Sequence, residues 1–310
     1  MTPQPSQHPQ QPCRITADAF SAASADFAPA TRRAYTGRLR AVQAVLGSEP
    51  LTDSALSRVL DGMAAQGQSP STLSLTVAAV RTAARRLGEP DPVGPLCEIA
   101  LRTHRRAAPP ARQVAAVDWA AADAAADAAA TRGDAIGLRD AAVIAVMSDA
   151  LLRVGETASL DAADIGRADD GTGHVHVRRS KTDQNGDGAS LFLRRAAIMR
   201  IDAWLTAAII DGGPLFRRVR KGNRVTDERL STRAIRAIIT AAAARIGIDG
   251  ASGHSLRIGS AQSLIRAGAQ MPEAMLAGRW TSPTMVHRYA KSELAHHSAV
   301  SRLRPDHPTP

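Results

Sequence analysis

Four short segments of this 310-residue chain hold side chains that together suit one kind of chemistry. They are Arg153 with Glu156, Lys181 beside Arg178 and Arg179, His254 with Arg257, and Tyr289. Cutting a phosphodiester without a metal needs a nucleophile, cations fixed on the non-bridging oxygens, and a proton donor for the departing 5′ oxygen. Arginine is the natural cation, because its planar fork holds a phosphate bidentately and stays charged at any working pH. A phenol attacking phosphorus forms a phosphotyrosyl ester that stores the bond energy, so a hydroxyl can later reverse the step with no ATP.

Each segment also has a plainer reading. In Ser148-Asp149-Ala150-Leu151-Leu152-Arg153-Val154-Gly155-Glu156, an Arg and a Glu three apart also describe an ordinary surface ion pair. The flanking Leu151, Leu152, Val154 and Leu160 argue for a partly buried site, where an arginine needs a carboxylate partner. Lys181 follows a strand on a hairpin, from which an ammonium can swing toward a leaving oxygen and donate a proton. Basic hairpin tips also bind phosphate, or nothing. His254 and Arg257 share one face at a helix start, beside amide donors that favour an anion. Tyr289 is one of two tyrosines. Tyr35 falls in an amphipathic pattern suited to core packing, and Tyr289 taken alone also fits a helix-face residue covering a core.

Other chemistries lack their residues. His-x-x-Arg offers a single metal ligand, His287, His296 and His297 lie on other segments, and no HExxH or cysteine pair completes a set. No Walker A loop, GxSxG or GxGxxG is present to support nucleotide hydrolysis, serine chemistry or dinucleotide binding. No metal and no cofactor is expected. Cys13 and Cys97 form neither a disulfide framework nor a zinc spacing and read as incidental thiols.

The elements that must position these residues are mostly helical. Residues 1–14 are rich in Pro and Gln and are expected to be disordered. Helical spacing runs from Thr31 to Leu46, from about Asp53 to Ala65, and from Ser69-Pro70 to Gly88, with a short helix from Leu96. Arg105-Arg106-Ala107-Ala108-Pro109-Pro110 reads as a linker, which places a boundary near residue 110. A second unit follows with helices over Asp118–Thr131, Gly133–Leu152 and about 196–210, 231–246, 255–267, 272–277 and 284–303. Between them, Val175 and Val177, then Leu191 and Leu193, alternate with polar residues around Asp183-Gln184-Asn185-Gly186-Asp187-Gly188, a hairpin signal. The expected fold is mainly α, a helical bundle followed by an α+β domain with a small antiparallel sheet.

Composition agrees with a soluble nucleic-acid binder. Aromatics at 3% leave cores of Ala, Leu, Ile and Val, and a net charge of +10 points to a polyanionic partner. Residues 1–112 and 113–310 each carry +5. That suits two units touching one long polyanion, each neutralised phosphate releasing counterion. The first unit presents Arg32, Arg33, Arg81, Arg85 and Arg86, which also fit a merely solvated helix face. No apolar run reaches membrane-spanning length and no signal peptide is evident, so a cytoplasmic protein is expected, with no membrane partner.

Taken in order, LLRVGE, a lysine on a hairpin, GHSLR and AGRWTSPTMVHRY resemble the tyrosine recombinase (phage integrase) family, in particular its Cre-like branch. The resemblance covers 31–303 in layout and is densest over 148–303. It implies a core-binding DNA-binding domain over 15–110 and a catalytic domain over 111–310. It also implies a site-specific recombinase acting on double-stranded DNA through a 3′-phosphotyrosyl intermediate on Tyr289. Arg153 and Arg257 would clamp the phosphate, His254 would hydrogen-bond it and assist proton transfer at the tyrosine, and Lys181 would be the general acid. Trp280 would donate its indole N–H to a phosphate oxygen, and Glu156 would support the cluster. Arg178 and Arg179 would bind DNA. Many members have Gly-His where this chain has Arg279-Trp280, and Thr-Gly where it has Asp149-Ala150. The family implies a homotetramer on two DNA sites, with Lys291 to Leu303 docking as a helix on a neighbouring protomer. A type IB topoisomerase and a non-catalytic DNA-binding regulator are the competing classes.

Overall fold

The computed structural model describes residues 15–109, 114–178 and 188–296. The chain divides into two compact units, Met1–Arg112 and Gln113–Pro310. Each has a hydrophobic core of its own. No described helix is long and apolar enough to cross a membrane. The expected tail, residues 1–14 with Cys13, lies outside the described residues.

Five helices make the first unit: α1 (Ala17–Ala23), α2 (Pro29–Leu46), α3 (Asp53–Ala65), α4 (Pro70–Leu87) and α5 (Pro95–Ala107). Local chemistry starts them. Thr16, Thr52 and Ser69 each accept a hydrogen bond from an amide of the first turn, and Pro29, Pro70 and Pro95 stand where no amide donor is needed. Asp53 does more than begin α3. Its carboxylate accepts from the amides of Gly94, Leu96 and Cys97 at 2.9, 2.9 and 3.0 Å, which ties the start of α5 to the start of α3. Helix α1 adds Ala17 and Phe20 to the core. Its seven residues are too few to show a period in the sequence.

The second unit opens with α6 (Trp119–Ala130), α7 (Ala135–Asp149) and α8 (Val154–Ser159). Strands β1 (Ile165–Arg167), β2 (Gly173–Val177) and β3 (Ala189–Leu193) form an antiparallel sheet in that order, with Val175 opposite both Ile165 and Leu191. The unit continues with α9 (Arg195–Ala208), β4 (Arg217–Arg220), β5 (Arg224–Arg229), α10 (Thr232–Arg245), α11 (Ser255–Arg266), α12 (Met271–Gly278), α13 (Pro283–Tyr289) and α14 (Lys291–His296). Helix α7 is sheathed by its neighbours, with Val143, Ile144, Val146 and Met147 fully enclosed. Val175, Val177 and Leu193 point from the sheet into the same core. The fold is mainly α with a small antiparallel sheet.

Besides the short elements α1, α8 and β1, which the sequence reading did not include, two larger features depart from expectation. The β4–β5 hairpin has Val219 opposite Val225 as its one apolar pair among Arg-rich neighbours, so it lacks the alternating pattern that announces a strand. The helix expected over 284–303 breaks at Ala290. There the Tyr289 carbonyl accepts from Gln262 Nε2 at 3.0 Å, a bond from outside the helical ladder, and α14 begins at the next residue.

Candidate active site

A separate small core surrounds the residues singled out by their chemistry. Leu151, Ile258, Ala261, Val286, Trp280 and Tyr289 pack together, which draws α11, α12, α13 and the end of α7 to one place. Arg257, on the first turn of α11, is 1% exposed within it. Its two terminal nitrogens donate to the carbonyls of Leu151 and Gly278. Both carbonyls sit at left-handed turns. Leu151 has φ 49° as the chain leaves α7, and Arg279, directly after Gly278, has φ 51° as it leaves α12. The Arg257 guanidinium also lies 4.8 Å over the Trp280 ring. A Cβ on Gly278 would collide with that ring, so the indole reaches this position only over a glycine.

Glu156 is the hub between two more arginines. Arg153 caps α8, and the Glu156 carboxylate reaches back to it twice: Arg153 Nη1 donates to Oε1 at 2.7 Å and the Arg153 amide donates to Oε2 at 2.8 Å. Arg279 Nη2 donates to the same Oε2 at 2.9 Å. Burial by itself would raise the carboxyl pKa. The Arg153 amide, the Arg279 charge and the Arg153 side chain outweigh it and hold Glu156 below its ordinary value. Burial first, then repulsion from Arg153 and Arg279, brings Arg257 down to about 10. Three guanidiniums against one carboxylate leave an excess of positive charge, suited to an anion.

Tyr289 closes the cluster. It is 7% exposed, and its Oη lies 3.2 Å from His254 Nε2. The two rings meet edge to face at 6.0 Å, and the Trp280 ring meets Tyr289 at 5.6 Å. His254 is held below its ordinary value by burial and by the charges of Arg257 and Arg153. A neutral imidazole can accept the phenolic proton. Trp280 Nε1 is buried without a hydrogen-bond partner among the described residues, as are Nε and Nη1 of Arg279. All three atoms are donors, and an anion is what such donors lack.

The structure thus brings together Arg153, Glu156, His254, Arg257, Trp280 and Tyr289, which are distant in sequence. Lys181 and Arg179 lie outside the described residues. Arg178 donates to Asp161 at 2.6 Å and to the Ser159 carbonyl at 3.0 Å, so it braces the turn after α8. In the first unit, Arg81 pairs with Asp91 and Glu98, and Arg86 pairs with Asp26 across the Phe27 ring. Arg32, Arg33 and Arg85 make no side-chain hydrogen bond or ion pair among the described residues. Of the segment Lys291 to Leu303, only α14 is described. Its Leu294 packs on the small core of its own unit, and Glu293 pairs with Arg266 at 3.0 Å. Arg279 is the member that sequence reasoning did not assign. The only signal was an arginine standing where many family members have glycine. Asp149, the other departure, holds Arg194 through its amide at 2.9 Å and its Nε at 2.8 Å, fixing the start of α9.

Comparison with known proteins places this arrangement among relatives. Recombinase cre of Escherichia phage P1 is 32% identical over 184 residues, covering 54% of this chain and 54% of cre. An integrase/recombinase xerD homolog of Selenomonas ruminantium is 29% identical over 161 residues and is covered to 47%, so against these two relatives the chain spans about half their length. Tyrosine recombinase XerC of Mycobacterium bovis is 30% identical over 296 residues, 89% of this chain and 91% of XerC. Among solved structures, the Tn1549 transposon integrase in complex with circular intermediate DNA aligns at a TM-score of 0.64 and 14% identity, over 92% of this chain and 99% of that one. A lambda integrase tetramer bound to a Holliday junction aligns at 0.61 and 18%, over 89% of this chain and 76% of that one. At such identities the two alignments speak for the shared fold. With the phage integrase family profile matching residues 121–296 and XerC matching most of the chain, this protein belongs to the phage integrase family of tyrosine recombinases.

Proposed function

We propose that the chain is a site-specific DNA recombinase that cuts and rejoins strands through a covalent 3′-phosphotyrosyl intermediate. The observation that carries this reading is the 3.2 Å approach of Tyr289 Oη to His254 Nε2 beside the buried guanidinium of Arg257. In the forward step the Tyr289 oxygen attacks phosphorus and its proton passes to His254. The bond from phosphorus to the 5′ oxygen breaks, and that oxygen takes a proton from Lys181. Arg153 and Arg257 hold the non-bridging oxygens, and Trp280 Nε1 donates to one of them. Glu156 orients Arg153. Rejoining is the same path reversed by a 5′ hydroxyl, so no external energy source is needed.

The DNA-bound relatives support double-stranded DNA as the partner, and the lambda integrase tetramer supports four protomers on two sites. The segment Lys291 to Leu303 is proposed to carry the contact between protomers, although Leu294 within it packs on the small core of its own unit.

Covalent trapping on nicked duplex DNA tests the reading. The unmodified chain is expected to form an adduct, and Tyr289→Phe to bind the same DNA without forming one. An adduct from Tyr289→Phe would remove Tyr289 as the nucleophile. No adduct from the unmodified chain on any trapped sequence would leave a DNA-binding regulator on this scaffold.

A further inference from the structure

Arg279 is held in an arrangement that nothing in local structure favours. It takes the left-handed conformation at φ 51°, ψ 49° after α12, where glycine fits without strain. Its side chain is 12% exposed. Nη2 is bonded to Glu156, while Nε and Nη1 are buried with no hydrogen-bond partner among the described residues. Glycine would remove both burdens. The feature that the present arrangement secures is the division of Glu156: Oε1 takes the Arg153 side chain, and Oε2 is kept opposite, between the Arg153 amide and Arg279.

We propose that Arg279 is a positioning residue for strand cleavage: by holding Glu156 Oε2 it sets where the Arg153 guanidinium stands, and it keeps the cluster's charge positive. The inference rests on the recombinase reading above. Without Arg279, Glu156 Oε2 keeps only the Arg153 amide at 2.8 Å, and the carboxylate can tilt toward a bidentate pair with the Arg153 guanidinium. That draws the Arg153 guanidinium toward the carboxylate and away from a phosphate lying beside Arg257. Arg279 acts through Glu156 and, at 3.4 Å, through the Leu151 carbonyl that also takes Arg257, so its loss is felt in the placing of both arginines and hence in the cleavage step more than in DNA binding.

The test uses the full chain and a nicked duplex selected from a randomised library by covalent trapping with the unmodified protein. Single-turnover cleavage and DNA affinity are measured for Arg279→Gly, Arg279→Gln and Arg279→Lys, with folding checked by circular dichroism. Gly and Gln variants are expected to cleave at least about tenfold more slowly at saturating protein, with affinity within about twofold. The Lys variant, which keeps a charged donor for Glu156, is expected to recover most of the rate. Cleavage by folded Gly or Gln variants within twofold of the unmodified chain overturns the proposal, and so does equal loss in the Lys and Gln variants, which would mark a purely structural role. Absence of trapping by the unmodified chain overturns the recombinase reading itself, and this proposal with it. A trapping parent with unimpaired variants overturns the role of Arg279 alone.

Discussion

His254 is the residue at which pH and chemistry meet. Its depressed pKa, from burial and from the charges of Arg257 and Arg153, leaves the imidazole neutral at pH 7 and able to take the Tyr289 proton. The midpoint of its protonation therefore lies below the ordinary value of 6.5. In the DNA-free protein the His254 ring resonances are expected to titrate with a midpoint under 6.5, and Arg153→Gln should move that midpoint upward by removing a repelling charge. A midpoint at or above 6.5 in the unmodified chain would contradict a buried, charge-crowded imidazole. At the same scale, Trp280 contributes only a donor, since an indole has no titrating nitrogen. In the proposed reaction, proton transfer at the tyrosine is therefore left to His254.

The elements matter through how closely they approach. Helix α11 carries both His254 and Arg257, and it is held by the segment before α6: the Val117 amide donates to the Ser255 carbonyl at 3.1 Å and the Trp119 amide to Ser263 Oγ at 3.2 Å. Gly259 permits that approach, for a Cβ there would run into the Val117 carbonyl. Gly259→Ala is expected to destabilise the protein by about 2 kcal/mol through overpacking, lowering the thermal midpoint by several degrees. Cleavage should fall with it, because the helix that seats Arg257 must shift. An unchanged midpoint would mean that α11 is free to move outward. The break between α13 and α14 works in the same way: the Gln262 side chain, also on α11, donates to the Tyr289 carbonyl and fixes the Tyr289 backbone to the helix that His254 caps.

Across the whole molecule, affinity for DNA should come from charge spread over both units, each at +5. Arg32, Arg33 and Arg85 have no ion-pair partner among the described residues, unlike Arg81 and Arg86. Replacing these three by alanine is expected to lower the slope of log affinity against log salt by about 3, at roughly 0.9 for each phosphate no longer neutralised. Thermal stability should stay as it was. A slope unchanged from that of the parent chain would take these side chains out of the DNA interface.

Residue types and spacing alone determined a good deal here. Ser69-Pro70, Asp53 and the continuous apolar run of α7 are local signals, and each marks an element that forms from its own stretch of chain. Arg153, His254, Arg257 and Tyr289 were legible because the chemistry calls for those groups wherever the fold collects them, and Trp280 and the order of the segments through the family resemblance. The pairings were not. That Arg178 braces Asp161, that Asp149 anchors Arg194, and that Arg279 shares Glu156 with Arg153 all join residues far apart in sequence. A charged side chain is drawn to whichever carboxylate the fold buries beside it, and sequence spacing carries no record of that distance. Tyr289 was visible as a lone phenol in the second unit. Its setting against His254 and Arg257 was decided only when α11 and α13 met in one core.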